Sequence, residues 1–225
     1  YKRQCLTDAE WTLVADLFEV SGGRGVPPRH SRRTLLEACC YVVRTGCSWR
    51  MLPHEFPHWD NVYKTFRRWS AQGKFEQMHD RLRAQWRERM DRDEKPSAAV
   101  LDSQSTRSSP QGGESGYDAG KKVKGRKRSL VVDTLGLLLA VSISAASVQD
   151  RDAADDAVTS SMGKYPSVNT LFVDSAYAGK WAQRTQDIHA VQVQVIRGPN
   201  NRRTGKWHSA QGELFASAPA PSGFV

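Results

Sequence analysis

The chain has 225 residues, 39% of them hydrophobic, with seven tryptophans and a formal net charge of +9. That apolar content supports one large domain or two modest ones and excludes simple disorder. No apolar stretch nears the roughly 20 residues that cross a bilayer and nothing resembles a signal peptide, while a pI of about 9.6 points to a polyanionic partner.

Residues 6–95 read as helical. Thr7 and Glu10 form a capping-box pattern ahead of Trp11, Val14, Leu17 and Phe18 at helical spacing. Glycines and prolines between Gly22 and Pro28 break the pattern, and a second helix runs from about Arg32 to Thr45, stopping at Gly46. A third, Trp59 to Gln72, turns Val62, Tyr63, Phe66 and Trp69 inward and Lys64, Arg67 and Arg68 outward. A fourth spans about Phe75 to Asp91, with a basic face at Arg81, Arg83, Arg87 and Arg89. Helices in close succession with exposed cations suit a helix-turn-helix-like DNA-binding domain, and equally a plain helical bundle. Adjacent Cys39 and Cys40 in an apolar run read as buried thiols. Cys40, Cys47, His54 and His58 have zinc-ligand chemistry but lack the tight Cys pair of a structural site.

At Pro96 the texture changes to mixed α/β. Ala98–Leu101 reads as a short strand ending at Asp102, followed by a polar loop, a hairpin of 129–132 with 137–143, and a helix from about Arg151 to Met162. Leu171–Val173 is a strand ending at Asp174, then a helix from Tyr177 to Ile188 and a strand at 191–196. Beyond Gly198 the sequence is loop-like. Asp102 and Asp174 thus both sit at strand ends, where carboxylates of an α/β sheet converge on a site. Two such hard oxygen ligands suit Mg²⁺ in phosphoryl transfer. Between them, six of the eight residues from Lys121 to Arg128 are basic: Lys121, Lys122, Lys124, Arg126, Lys127 and Arg128. Read as a glycine-flanked loop, this run neutralises phosphates and gives salt-dependent affinity. Asp133 reads as a hairpin-turn residue and Asp150 as a helix cap.

Three segments carry a family resemblance: 101–105 (Leu-Asp-Ser-Gln-Ser), 116–138 from Gly-Tyr-Asp through Val-Asp-Thr-Leu-Gly-Leu-Leu, and 173–179 (Val-Asp-Ser-Ala-Tyr-Ala-Gly). With Arg44–Pro53 of the helical part, they resemble bacterial insertion-sequence transposases of the DDE class, in the group named for insertion sequence five. The resemblance implies an N-terminal helical DNA-binding domain over 1–95 and a ribonuclease-H-like catalytic domain over 96–225. It also implies Mg²⁺ or Mn²⁺, cleavage and joining at the inverted-repeat ends of double-stranded DNA, a homo-oligomer on that DNA, and a bacterial cytoplasmic, nucleoid-associated setting without a membrane. Asp102 and Asp174 match the first two catalytic carboxylates. The third, a Glu within an Arg-Trp-x-x-Glu-Arg-type segment, has no counterpart, and Glu213 in its Gly-flanked context is a poor substitute. The expectation is therefore a C-terminally shortened transposase. A transposase-derived DNA-binding protein without catalysis and a different ribonuclease-H-like nuclease are the alternatives.

Overall fold

The computed structural model describes residues 6–19, 29–108 and 114–196, and the chain divides into two compact units, Tyr1–Glu94 and Lys95–Val225.

In the first unit the capping box forms: the Glu10 amide donates to Thr7 Oγ1 at 3.2 Å and the Thr7 amide to Glu10 Oε2 at 2.7 Å. The helix it starts is broken in two, α1 (Asp8–Thr12) and α2 (Ala15–Phe18). Next come α3 (Arg32–Thr45), capped by Ser31 and ended by Gly46 at φ 67°, a short 3-10 turn at Trp49–Met51, α4 (Trp59–Ala71) and α5 (Lys74–Arg89). Phe18, Leu36, Val62 and Trp69 are buried together, with Phe18 edge-on to Trp69 at 4.7 Å between centroids. Lys64, Arg67 and Arg68 are exposed on α4, Lys64 paired with Asp60 at 2.7 Å. The basic face expected on α5 does not form. Arg83 and Arg87 are buried, and Arg81 reaches Asp16 through both terminal nitrogens. Three of those four arginines sit at the packed or paired positions because a helix with so few apolar residues buries long cationic stems instead.

The second unit is a mixed sheet with helices against it. Its elements are β1 (Ala98–Arg107), β2 (Gly116–Asp118), β3 (Val123–Asp133), β4 (Leu138–Ala145), α6 (Asp150–Lys164), β5 (Thr170–Asp174), α7 (Lys180–His189) and β6 (Gln192–Ile196). Among the described residues the sheet order is β2-β3-β1-β5-β6, with β4 also on β3. β1, β3 and β4 are antiparallel, while β5 and β6 run parallel to β1. An antiparallel meander continued by parallel strands through a helix is the ribonuclease-H-like sheet expected above. The core lies between the sheet and the helices, from Leu101, Val131 and Leu171 to Ala154, Val158 and Trp181.

Two strands are longer than the apolar pattern indicates. β1 continues past Leu101 to Arg107, and β3 begins at Val123, six residues before the expected start. The basic run is therefore strand, paired residue by residue with the polar half of β1: Gln104 opposite Arg128, Ser105 opposite Lys127, Thr106 opposite Arg126. Gly125 permits this pairing, since a Cβ there would lie 1.9 Å from the Thr106 carbonyl oxygen. Asp133 is fully buried and closes the β3–β4 turn, accepting from the Leu135 and Leu137 amides at 2.9 and 2.8 Å.

Candidate metal and nucleic-acid site

Strand alternation decides which residues meet. β1 and β5 pair in parallel, with Ala98 beside Thr170 and Val100 beside Phe172. Two residues further along each strand stand Asp102 and Asp174, on the same face as Val100 and Phe172. Both are exposed. Asp102 Oδ1 accepts from the Ser103 amide at 2.7 Å, and Asp174 Oδ1 from the Ala176 amide at 2.6 Å. Asp102 is thus a mid-strand residue just beyond the last β5 pairing, whereas Asp174 ends its strand as expected. A 3-10 turn, Ser175–Tyr177, follows Asp174 and is held by Arg151 of α6, whose Nε donates to the Ala176 carbonyl at 2.6 Å.

That turn buries Tyr177 in the core, its ring 4.9 Å from that of Trp181. Burial pushes its phenol pKa up. The adjacent Ser103 hydroxyl opposes the shift, and the charges of Asp150, Asp174 and Asp102 reinforce it. The hydroxyl has no hydrogen-bond partner of acceptable geometry in the protein. The hydroxyl lies on the Ser103 and Asp150 side of the sheet, so it is not among the groups facing an ion at Asp102 and Asp174. The donor set fits a hard divalent cation: Mg²⁺ is held by one or two carboxylates and retains several waters. Asp102 and Asp174 are the residues that would hold it. No group of three or more His, Cys, Asp or Glu side chains placed to hold a metal occurs among the described residues. Glu213 lies outside them.

Behind this face, on the buried side of the sheet, is an ionic network with no signature in the apolar pattern. Lys127, 4% exposed, pairs with Asp150 at 2.5 Å, donates to the Val148 carbonyl at 2.5 Å and lies 3.9 Å from Asp118. Ser105 Oγ donates to Asp118 Oδ2 at 2.6 Å, and the Lys121 amide to Asp118 Oδ1 at 3.0 Å. The Ser105 bond leads in holding the Asp118 carboxyl below the usual range. Burial pushes Asp150 upward, but Lys127, with the Ser103 hydroxyl and Lys121 behind it, reverses this and the net shift is down. The cap reading is corrected: Gln149 holds the N-cap position, and Asp150 is the first residue of α6 and a buried lysine's counterion.

The six basic candidates separate accordingly. Lys124 and Arg128 are exposed on the Asp102 face, and Arg126, half-buried there, donates to the Glu114 carbonyl at 3.0 Å. Lys121 and Lys122 belong to the β2–β3 turn, Lys122 at φ 54°, and Lys121 Nζ folds back to the Ser103 carbonyl at 3.0 Å. Lys127 is corrected: its side chain points to the opposite, buried face and is not a phosphate contact, because neighbouring strand residues face opposite ways. The alternation Lys-Gly-Arg-Lys-Arg carried that signal, with small Gly125 and Ser129 flanking Lys127 on the inward positions.

Residues 6–79 match the family model for transposases of the IS4/5 family. Residues 93–213, more than half of the chain, match the transposase DDE domain. No curated protein matches. Among solved structures, a chain of a pre-cleavage Mos1 transpososome is similar at 11% identity and a TM-score of 0.28, over 78% of this chain and 61% of that one. The present chain thus spans less than two thirds of that protein's length. With the DDE domain covering more than half of it, the chain belongs to the DDE transposase family.

Proposed function

We propose that this protein is a DNA transposase that cleaves and joins strands at the ends of an insertion sequence in a divalent-metal-dependent reaction. The observation that carries the reading is the placement of Asp102 and Asp174 on one exposed face of adjacent parallel strands within a DDE domain. Bound Mg²⁺ or Mn²⁺ supplies charge stabilisation for the attacking and leaving oxygens of an in-line displacement. The chain's own part is to hold the two carboxylates on adjacent strands and to present cations to the DNA backbone. Lys124, Arg126 and Arg128 do this next to the carboxylates, with Lys121 and Lys122 at the adjoining turn. Lys64, Arg67 and Arg68 form the second basic surface, on the helical unit, and mark it as the DNA-binding domain over 1–95. The partner is double-stranded DNA carrying inverted-repeat ends, bound by a homo-oligomer, as the family resemblance implies. No described helix is long and apolar enough to cross a membrane.

The test combines metal and DNA measurements on the full chain. Asp102→Ala and Asp174→Ala are each expected to abolish Mn²⁺ binding measured by calorimetry, and any metal-dependent cleavage of end-bearing duplexes, with DNA affinity nearly intact. Unchanged Mn²⁺ binding in both variants removes the carboxylate pair from the site. The second reading, DNA binding without catalysis, is favoured by the pair having no third carboxylate among the described residues. It predicts DNA affinity and Mn²⁺ binding with no cleavage.

A further inference from the structure

The face of the sheet that carries Asp102 continues well beyond it. Across the antiparallel ladders, Leu130 stands between Asp102 and Val141, Arg128 between Gln104 and Ile143, Arg126 between Thr106 and Ala145, and Lys124 beside Tyr117. Directly opposed residues share a face, so all of these line the same surface as the two carboxylates. Three cations at alternate positions form a row along β3, each about 7 Å from the next. Large side chains are exposed beside the row: Tyr117 is 57% exposed, Ile143 64% and Val141 47%.

A surface built only to hold duplex phosphates has no use for an exposed aromatic and two exposed aliphatics. Cations that track a backbone, interleaved with an aromatic face, are how proteins hold unpaired nucleotides, because every base has a π-face to stack. Burying Tyr117 or Ile143 against a base also removes apolar surface from water, which a solvated duplex backbone cannot do. We propose that this surface is a binding track for single-stranded DNA leading to the Asp102–Asp174 pair, with Lys124, Arg126 and Arg128 on successive phosphates and Tyr117 and Ile143 against bases. The inference rests on the proposed function in one respect, that the pair is where the strand is cut. The DNA handled at the site is then locally unpaired, so a frayed or forked end is a better ligand than a blunt one. The buried Lys127 takes no part in the track.

The experiment uses the full chain and fluorescence anisotropy with two probes, a 20-nucleotide oligo-dT and a blunt duplex of equal length. Tyr117→Ser is expected to weaken oligo-dT binding about fivefold or more, with duplex binding unchanged and Tyr117→Phe restoring the wild-type value. Lys124→Ala and Arg128→Ala each lower the oligo-dT salt slope by about 0.7, and Lys127→Met leaves it unchanged. The proposal is overturned if Tyr117→Ser shifts oligo-dT affinity less than twofold, or weakens both probes equally. It is equally overturned if Tyr117→Phe behaves like Tyr117→Ser. Mn²⁺ calorimetry on the same proteins keeps the two readings apart. Loss of the track with Mn²⁺ binding intact defeats only this inference, whereas oligo-dT binding without Mn²⁺ binding defeats the catalytic reading and leaves the track.

Discussion

Lys127→Met removes the cation at the centre of the buried network, with its contacts to Asp150, Asp118 and the Val148 carbonyl. Methionine keeps the unbranched apolar stem but leaves Asp150 without its 2.5 Å partner. Removing one member of a buried pair costs about 3–5 kcal/mol, most of it the penalty of an uncompensated charge. Lys127 is 5% exposed at its side chain, but Asp150 is 29% exposed and water takes up part of that charge. We therefore expect about 2–3 kcal/mol at pH 7. Hydrogen exchange at the β1 and β3 amides reads this unit separately from the helical one. The pH dependence has a definite sign. Asp150 is held below its unfolded value in the native protein, so the pair's contribution is complete above the unfolded Asp pKa of about 3.9. It is lost as pH falls through the lower native value. In Lys127→Met, burial is opposed only by the Ser103 hydroxyl and Lys121, and Asp150 takes up its proton at higher pH than in the wild type. The gap between the two proteins is thus widest near neutrality and closes in acid. Adding Asp150→Asn to Lys127→Met should recover part of the loss at pH 7. A cost below about 0.5 kcal/mol, the scatter of neutral surface changes, or a gap unchanged between neutral and acid pH would refute the reasoning.

Two further substitutions test the framework that positions the site. Gly125→Ala places a Cβ where the Thr106 carbonyl oxygen stands 1.9 Å away. Since backbone cannot yield as a side chain does, the β1–β3 ladder should open locally, with amide protection lost from Ser105 to Arg107 while the β3–β4 turn at Asp133 stays protected. Protection unchanged throughout would show that the two strands are not in this register. Phe18→Ala empties a fully buried position beside Trp69, and urea unfolding of the helical unit should show a loss of about 3–5 kcal/mol. A loss under about 1 kcal/mol would place Phe18 outside the core.

The helices of the first unit were legible because their signals are local. Thr7 with Glu10, Ser31, Gly46 and the apolar spacing of α3 and α4 each act within a turn or two. The apolar strands around Val131, Leu139 and Leu171 were legible for the same reason, as was Asp174 at its strand end, whereas Asp102 lies mid-strand because β1 runs on through polar residues. Polar strand was not legible. Ser103 to Arg107 and Lys124 to Arg128 contain no hydrophobic period, and each becomes strand only because the other lies across the ladder. The roles of the basic residues followed from that pairing: Lys127 faces inward to Asp150, while Lys124, Arg126 and Arg128 face outward beside Asp102. In the same way Arg83 and Arg87 look like any exposed arginines until the helices pack over them. The sequence by itself determined most element types and the candidate carboxylates, because apolar periodicity, caps and residue chemistry are properties of neighbouring residues. Tertiary structure decided which cations face outward beside Asp102 and which serve as internal counterions. That depends on strand register, and the β1–β3 register is set by partners 18 to 34 residues apart in the chain.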